Sequence, residues 1–129
     1  VDLTKKLRLY GGILWGDGIG SYRDLPDIAL LTPTTGTALE TIAWYSGAHH
    51  QWSERWSSNV TYSQGNVDNS TGQLASSIRE LQYLAVNLIW QPTPYTFAGI
   101  EGVWGKRTNL DLENSDASRV MMSFGFLLP

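Results

Sequence analysis

The sequence predicts an all-β fold, an antiparallel meander of about six long strands, and two observations support this prediction. Apolar and aromatic residues alternate with polar ones along most of the chain, which is the period of a strand, whereas a helical period is almost absent. Each alternating stretch is about 10–14 residues long, well above the usual ~5–6 residues of a globular strand. The stretches are residues 5–15, 39–52, 55–64, 80–91, 95–107 and 117–128. We expect them to form one all-β unit over residues 1–129.

The connections between these strands alternate in length. Only Ser53 and Glu54 separate the second strand from the third, and Pro92-Thr93-Pro94 separates the fourth from the fifth, where the prolines stop pairing and force a tight turn. The other connections are long and polar: residues 16–38, 65–79 and 108–116. Long strands joined alternately by short turns and long outer loops are typical of transmembrane β-barrels of porin type. We expect residues 16–38 to form a flexible outer loop, and whether this loop constricts a pore stays open.

Five of the predicted strands have one apolar and one polar side. The apolar positions are Leu7, Leu9, Ile13 and Trp15; Trp56, Val60 and Tyr62; Leu84, Val86, Leu88 and Trp90; Ala98, Ile100 and Trp104; and Val120, Met122, Phe124, Phe126 and Leu128. The second strand is ambiguous, because Ile42 and Trp44 alternate with Ala43 and Tyr45. In a membrane barrel the apolar side faces lipid and the polar side faces the water-filled interior. In a soluble sheet the apolar side would be buried.

Aromatic residues favour the membrane alternative. Four of them flank the short turns and four others lie next to the long loops, so they form two belts at the strand ends, as expected at membrane–water interfaces. The first set is Trp52, Trp56, Trp90 and Tyr95, and the second is Trp15, Trp44, Tyr62 and Trp104. In a soluble sandwich, tryptophans would more often lie in mid-strand within the core.

Most of the arginines fall on the polar side of the predicted strands. Arginine in a channel wall offers fixed donors that pair with carboxylate or phosphate groups, and a glutamate on the same side would orient an arginine or favour cations. The candidate pore-lining and anion-binding residues are Arg8, Arg55, Arg79, Glu101, Arg107 and Arg119, joined by Lys6. Arg107 and Arg119 flank one loop on paired strands, so we expect them to lie close together.

Composition excludes several other functions. The chain has no cysteine, which excludes a disulfide scaffold, a thiolate zinc site and a cysteine nucleophile. Its net charge of −3 and its lack of a basic cluster argue against nucleic-acid binding. His49 and His50 point to opposite sides of a strand and cannot chelate one ion together. We expect no metal, no cofactor and no catalytic residues, and hence no enzyme.

Several spaced motifs resemble the DcaP-like outer-membrane porins. They are residues 16–22 (GDGIGSY), 84–94 (LAVNLIWQPTP), 99–107 (GIEGVWGKR) and 116–119 (DASR). The resemblance implies the C-terminal portion of a larger barrel in the bacterial outer membrane. It further implies a trimeric homo-oligomer that passes small, often anionic carboxylate solutes by passive diffusion. The alternative is a soluble lipocalin-like or sandwich β-protein that binds a small ligand or a carbohydrate.

Overall fold

The computed structural model describes residues 1–126, and nearly all of this part of the chain is β-structure. The strands are β1 (Asp2–Thr4), β2 (Leu7–Asp17), β3 (Ile28–Thr32), β4 (Thr35–Ala38), β5 (Glu40–Gln51), β6 (Trp56–Asp68), β7 (Ile78–Thr93), β8 (Thr96–Asn109) and β9 (Asn114–Phe126). A short 3₁₀ helix, Gly20–Arg23, lies between β2 and β3. Within residues 1–126 no helix has the length and apolar character that crossing a membrane requires.

Seven strands form one antiparallel sheet in the order β1-β2-β5-β6-β7-β8-β9, and β3 and β4 form a separate two-stranded sheet. The long strands therefore pair in the order in which the chain makes them. Among the described residues β1 and β9 do not pair with each other, so the sheet is open.

The predicted all-β antiparallel meander is confirmed, with four corrections, of which three concern the elements themselves. The main sheet has a seventh strand, β1, which is too short to show an alternating pattern. Residues 16–38, predicted as a flexible outer loop, contain the 3₁₀ helix and the β3–β4 hairpin. The sixth predicted strand is β9, which begins at Asn114, and its predicted final residues Leu127 and Leu128 lie outside the described residues.

The turn after β7 also differs from the prediction. Pro92 does not stop pairing, because β7 continues to Thr93, which lies opposite Thr96. The ladder is irregular between Trp90 and Thr93, and such an irregularity is where a residue without a backbone N–H is tolerated inside a sheet. The hairpin therefore turns at Pro94 and Tyr95.

The strand register confirms the predicted faces and orients the second predicted strand. Directly opposite residues on neighbouring strands point to the same side of a sheet. In β5, Trp44 lies opposite Ile13 and so belongs with the apolar residues, whereas Tyr45 lies opposite Gly12 and Ser63 and belongs with the polar ones. We call these sides the apolar face and the polar face.

The apolar face is not a buried core within residues 1–126. Met122 and Phe124 are each 81% exposed, and Val86, in the central strand β7, is 49% exposed. The buried cluster lies instead on the polar face, at the end of the sheet that carries the long connections. A sandwich whose core contains the apolar face is therefore not what the described residues form.

Candidate functional site

The predicted interface aromatics lie in two bands on the apolar face. At the end with the long connections, the loop end, the rings of Trp44 and Tyr62 are 5.4 Å apart. At the opposite end, the turn end, Trp56 stacks on Trp90 at 6.0 Å. Tyr95 lies in the β7–β8 turn and is exposed.

Two further tryptophans have their indole N–H groups bound by polar side chains near the strand ends. Trp15 donates its Nε1–H to Oε1 of Glu40 at 2.6 Å, at the loop end. Trp52 donates to the hydroxyl of Ser58 at 2.9 Å, at the turn end. Trp104 lies opposite Leu84 and Ser118 on the apolar face. The apolar surface is thus bounded at both ends by aromatic rings, and at each end one indole N–H is hydrogen-bonded to a polar side chain.

The segment of residues 18–39, which we call the folded segment, packs on the polar face at the loop end. Its side chains Leu25, Ala29 and Leu39 are buried with Val67 of β6. Leu25 is only 4% exposed, and its Cδ1 lies 2.7 Å from the position that a Cβ on Gly65 would occupy. Glycine at 65 therefore provides the space in the sheet that Leu25 fills.

Hydrogen bonds shape the folded segment itself. Gly18 N–H donates to the Leu39 carbonyl at 3.0 Å, and Leu39 N–H donates to the Asp27 carbonyl at 2.8 Å. The carboxylate of Asp27 accepts from Ser21 N–H at 2.6 Å. These bonds join the two ends of the segment, so it packs on the sheet as a folded unit.

A cation–π contact adds a second attachment to the sheet. The guanidinium of Arg23 lies 5.8 Å from the centre of the Tyr45 ring, on the polar face. The negative face of an aromatic ring attracts a cation, so this contact holds Arg23 over the Tyr45 ring. The folded segment is thus attached through Arg23, the last residue of the 3₁₀ helix, and through Leu25, two residues later.

Between the folded segment and the sheet lies a cleft of about 660 Å³, which we call the loop-end cleft. Its charged lining residues are four cations and two carboxylates, and tyrosine rings complete the wall. They are Arg23, Lys106, Arg107 and Arg119, with Asp24 and Asp116, and the tyrosines are Tyr22 and Tyr83. The lining thus has a cationic excess, and it comes from both the segment and the strands β6 to β9.

Arg107 and Arg119 both line the loop-end cleft, but they do not form a close pair along the sheet. Arg107 lies opposite Ser115, whereas Arg119 lies opposite Val103, so the two positions are about 13 Å apart along the strands. The guanidinium of Arg107 donates to Asn109 Oδ1 at 2.7 Å and to the Ser76 carbonyl at 2.6 Å. Arg107 therefore also holds the β6–β7 connection. Arg119 is exposed.

The other predicted pore-lining residues lie elsewhere. Arg8 is on the polar face near the turn end and pairs with Asp2 at 2.8 Å. Arg55 lies in the β5–β6 turn rather than in a strand, as does Lys6 in the β1–β2 turn. Arg79 lies where the β7–β8 register shifts between residues 78 and 80, so the alternation that assigned its side does not extend to it.

Glu101 belongs to a row of polar side chains that the sequence did not predict. His49, Asn59, Asn87 and Glu101 lie directly opposite one another on β5, β6, β7 and β8. Their side chains form successive hydrogen bonds across the polar face. The short turns at residues 52–55 and 94–95 were the available signal, because they fix which residues of consecutive strands lie opposite.

No family model matches the chain, and no curated protein matches it. Among solved structures it is similar to the crystal structure of the outer membrane channel DcaP of Acinetobacter baumannii, with a TM-score of 0.85 and 20% sequence identity. The similarity covers 98% of this chain and 38% of that one. The chain thus has the fold of a part of that channel and spans well under half of its length.

Proposed function

We propose that this chain forms part of the wall of a channel in the bacterial outer membrane. The observation that carries the proposal is a sheet with two contrasting faces. One face is apolar, uncovered and bounded by aromatic bands, and the other is polar and covered at one end by the folded segment. The similarity in fold to part of an outer membrane channel supports the same conclusion.

In this proposal the apolar face contacts lipid. Exposed residues such as Ile13, Met122 and Phe124 would be costly in water as one continuous surface, whereas acyl chains accommodate them. The aromatic bands at the two strand ends suit the two headgroup regions, where an indole ring can bury its body and keep its N–H hydrated. Glu40, which accepts from Trp15, would then lie at the loop-end interface.

The polar face then lines the channel, and other strands complete the barrel. Seven strands are too few to enclose a water-filled pore, since about eight already leave an interior filled by side chains. The unpaired outer edges of β1 and β9 are where further strands would pair. We propose that the complete protein closes the barrel in this way and assembles as a trimer, an expectation that stems from the resemblance seen in the sequence.

We propose small anionic solutes, of the carboxylate class, as the permeants. Three arginines, Arg23, Arg107 and Arg119, line the loop-end cleft against the carboxylate of Asp24. Lys106 and Asp116 also line it, but they lie opposite each other and in register with Trp44, so they belong to the apolar face. Guanidinium groups present planar pairs of donors that match carboxylate oxygens. The folded segment narrows the passage at this level, so a solute would pass close to these cations. Transport is passive diffusion, and the proposal assigns no catalytic step.

Ion selectivity of the complete protein in planar bilayers tests this proposal. Under a salt gradient we expect a reversal potential that reports anion preference, and we expect Arg119→Gln to reduce that preference. Arg55→Gln is the matched control, because it removes the same charge from the β5–β6 turn outside the cleft. Failure of the complete protein to form channels, or recovery of the protein in the soluble fraction without detergent, would contradict the proposed function. Equal selectivity in all three proteins would contradict the role of the cleft.

A further inference from the structure

A continuous row of hydrogen bonds crosses four strands of the polar face. His49 Nδ1 lies 2.9 Å from Asn59 Oδ1, Asn59 Nδ2 donates to Asn87 Oδ1 at 2.9 Å, and Asn87 Nδ2 donates to Glu101 Oε2 at 3.3 Å. The four residues are directly opposite one another, so the row runs perpendicular to the strands. The row is distinct from the loop-end cleft, since none of its members lines that cleft.

Two of its groups fix the direction of every bond in the row. The backbone N–H of Asn59 can only donate, and it binds Asn87 at 3.1 Å, so the atom it meets must be the amide oxygen Oδ1. At the far end an ionised Glu101 carboxylate can only accept, so Asn87 must present its NH₂ group there. These two conditions agree, which assigns the orientation of the Asn87 amide from both sides.

The same reasoning determines the histidine tautomer. Because Asn87 Oδ1 accepts, the Asn59 atom bonded to it is Nδ2, and the Asn59 atom next to the imidazole is therefore the acceptor Oδ1. An acceptor at this position requires that His49 carries a proton on Nδ1. The remaining nitrogen, Nε2, is then unprotonated in the neutral ring and is the atom that takes up a proton when the ring becomes cationic.

His49 lines a second cleft of about 640 Å³ at the turn end, which we call the turn-end cleft. The charged groups that line it with His49 are Asp2 of β1, Lys5 and Lys6 of the β1–β2 turn, and Arg8 of β2. Arg8 lies directly opposite His49 but is paired with Asp2. On the β6 side the residues opposite His49 and Gln51 are Asn59 and Ser57, which are neutral. Glu101 reaches His49 only through the row.

We infer that His49 makes the charge preference of the channel depend on pH, by binding a proton at Nε2 beside the turn-end cleft. This inference rests on the proposed function, because it requires that the polar face lines a water-filled pathway. Protonation adds one positive charge to a wall where the guanidinium of Arg8 is already neutralised by Asp2. Acidification that protonates the His49 ring therefore increases the preference for anions.

Reversal potentials of the complete protein at pH 8 and pH 5 test this inference. We expect the anion-to-cation permeability ratio to rise about fourfold on acidification, because one unit charge about 10 Å away in water favours an anion about twofold and disfavours a cation about twofold. The difference should disappear in His49→Gln. His50→Gln is the matched control, because His50 is the next residue and lies on the opposite face. There the centre of its ring is 4.2 Å from the centre of the Trp52 ring. A pH response that is the same in His49→Gln as in the unchanged protein would overturn the inference.

Nitrogen-15 NMR of labelled histidine tests the tautomer independently of transport. The NMR signals of the His49 ring are identified because they are missing from the spectrum of His49→Gln. In the neutral ring these signals should show a proton on Nδ1. Asn59→Leu removes the acceptor and should shift the ring toward the other tautomer, while the His50 signals stay unchanged. A neutral His49 protonated on Nε2 would overturn the inference even where channels form. Absence of channels would contradict the proposed function, and with it the inferred effect on permeation. The tautomer assignment would then still be tested by NMR alone.

Discussion

The two ends of the polar face differ in what lies over them. At the loop end the folded segment covers the sheet, and apolar contacts hold it there, with Leu25 seated over Gly65. At the turn end the polar face carries a hydrogen-bonded row and a cluster of charged groups around His49. The comparison teaches that one face of a sheet can combine an attached, apolar-packed segment at one end with a hydrogen-bonded polar row at the other.

The largest effect is expected from removing the contact that holds the folded segment. Leu25→Ala empties a buried site in the cluster, and such truncations cost about 2–5 kcal/mol. We expect the segment to detach from the polar face, so that single-channel conductance of the complete protein rises and residues 18–39 become sensitive to protease.

Leu30→Ala is the control for this experiment, because Leu30 lies in the same segment but is 67% exposed. It should leave both conductance and protease resistance unchanged. If Leu25→Ala also behaves like the unchanged protein, packing at Gly65 does not determine the position of the segment.

A smaller effect is expected between the two ends, where Tyr10 lies across Gly47. A Cβ on residue 47 would stand 2.5 Å from the Tyr10 ring, whose hydroxyl bonds the Thr61 hydroxyl at 2.5 Å. Gly47→Ala must therefore displace the ring and lose this bond, and we expect the free energy of unfolding in detergent to fall by about 1–3 kcal/mol.

Gly102→Ala provides the comparison for this substitution, because a Cβ there has no neighbour within 4 Å among the described residues. Its free energy of unfolding should stay within about 0.5 kcal/mol of the unchanged protein. Equal losses for the two variants in urea-unfolding curves would show that the cost comes from the loss of glycine and not from the contact with Tyr10.

The long strands were predictable because their alternation is a local property of the sequence. Where the alternation is not clear, the sequence alone does not determine which face of the sheet a residue occupies. In β5, Trp44 and Tyr45 are both large aromatics, and only pairing with Ile13 and Gly12 on β2 assigns them to opposite faces. Arg79 lies at a register shift between residues 78 and 80, which the alternation in the sequence does not reveal.

The candidate site was less predictable than the fold, since it depends on contacts between residues far apart in the chain. The β3–β4 hairpin turns at Pro33 and Thr34, within a threonine-rich stretch whose sequence predicts a loop. Its packing on the sheet needs Leu25 to meet Gly65, which no local pattern reveals. The cationic character of the polar face was visible in the arginines, whereas the hydrogen bond from Arg107 to Ser76 was not.

The contrast between the two faces is tested most directly by thiol labelling along β9 of the complete protein in membranes. Met122, Ser123 and Phe124 are consecutive, with Ser123 on the polar face and its neighbours on the apolar face. These 129 residues contain no cysteine, and any cysteine elsewhere in the complete protein is replaced by serine before single cysteines are introduced. We predict that a membrane-impermeant maleimide labels Ser123→Cys, and leaves Met122→Cys and Phe124→Cys unlabelled. Labelling of Met122→Cys and Phe124→Cys as fast as Ser123→Cys would contradict a lipid-facing apolar surface and a water-lined polar one.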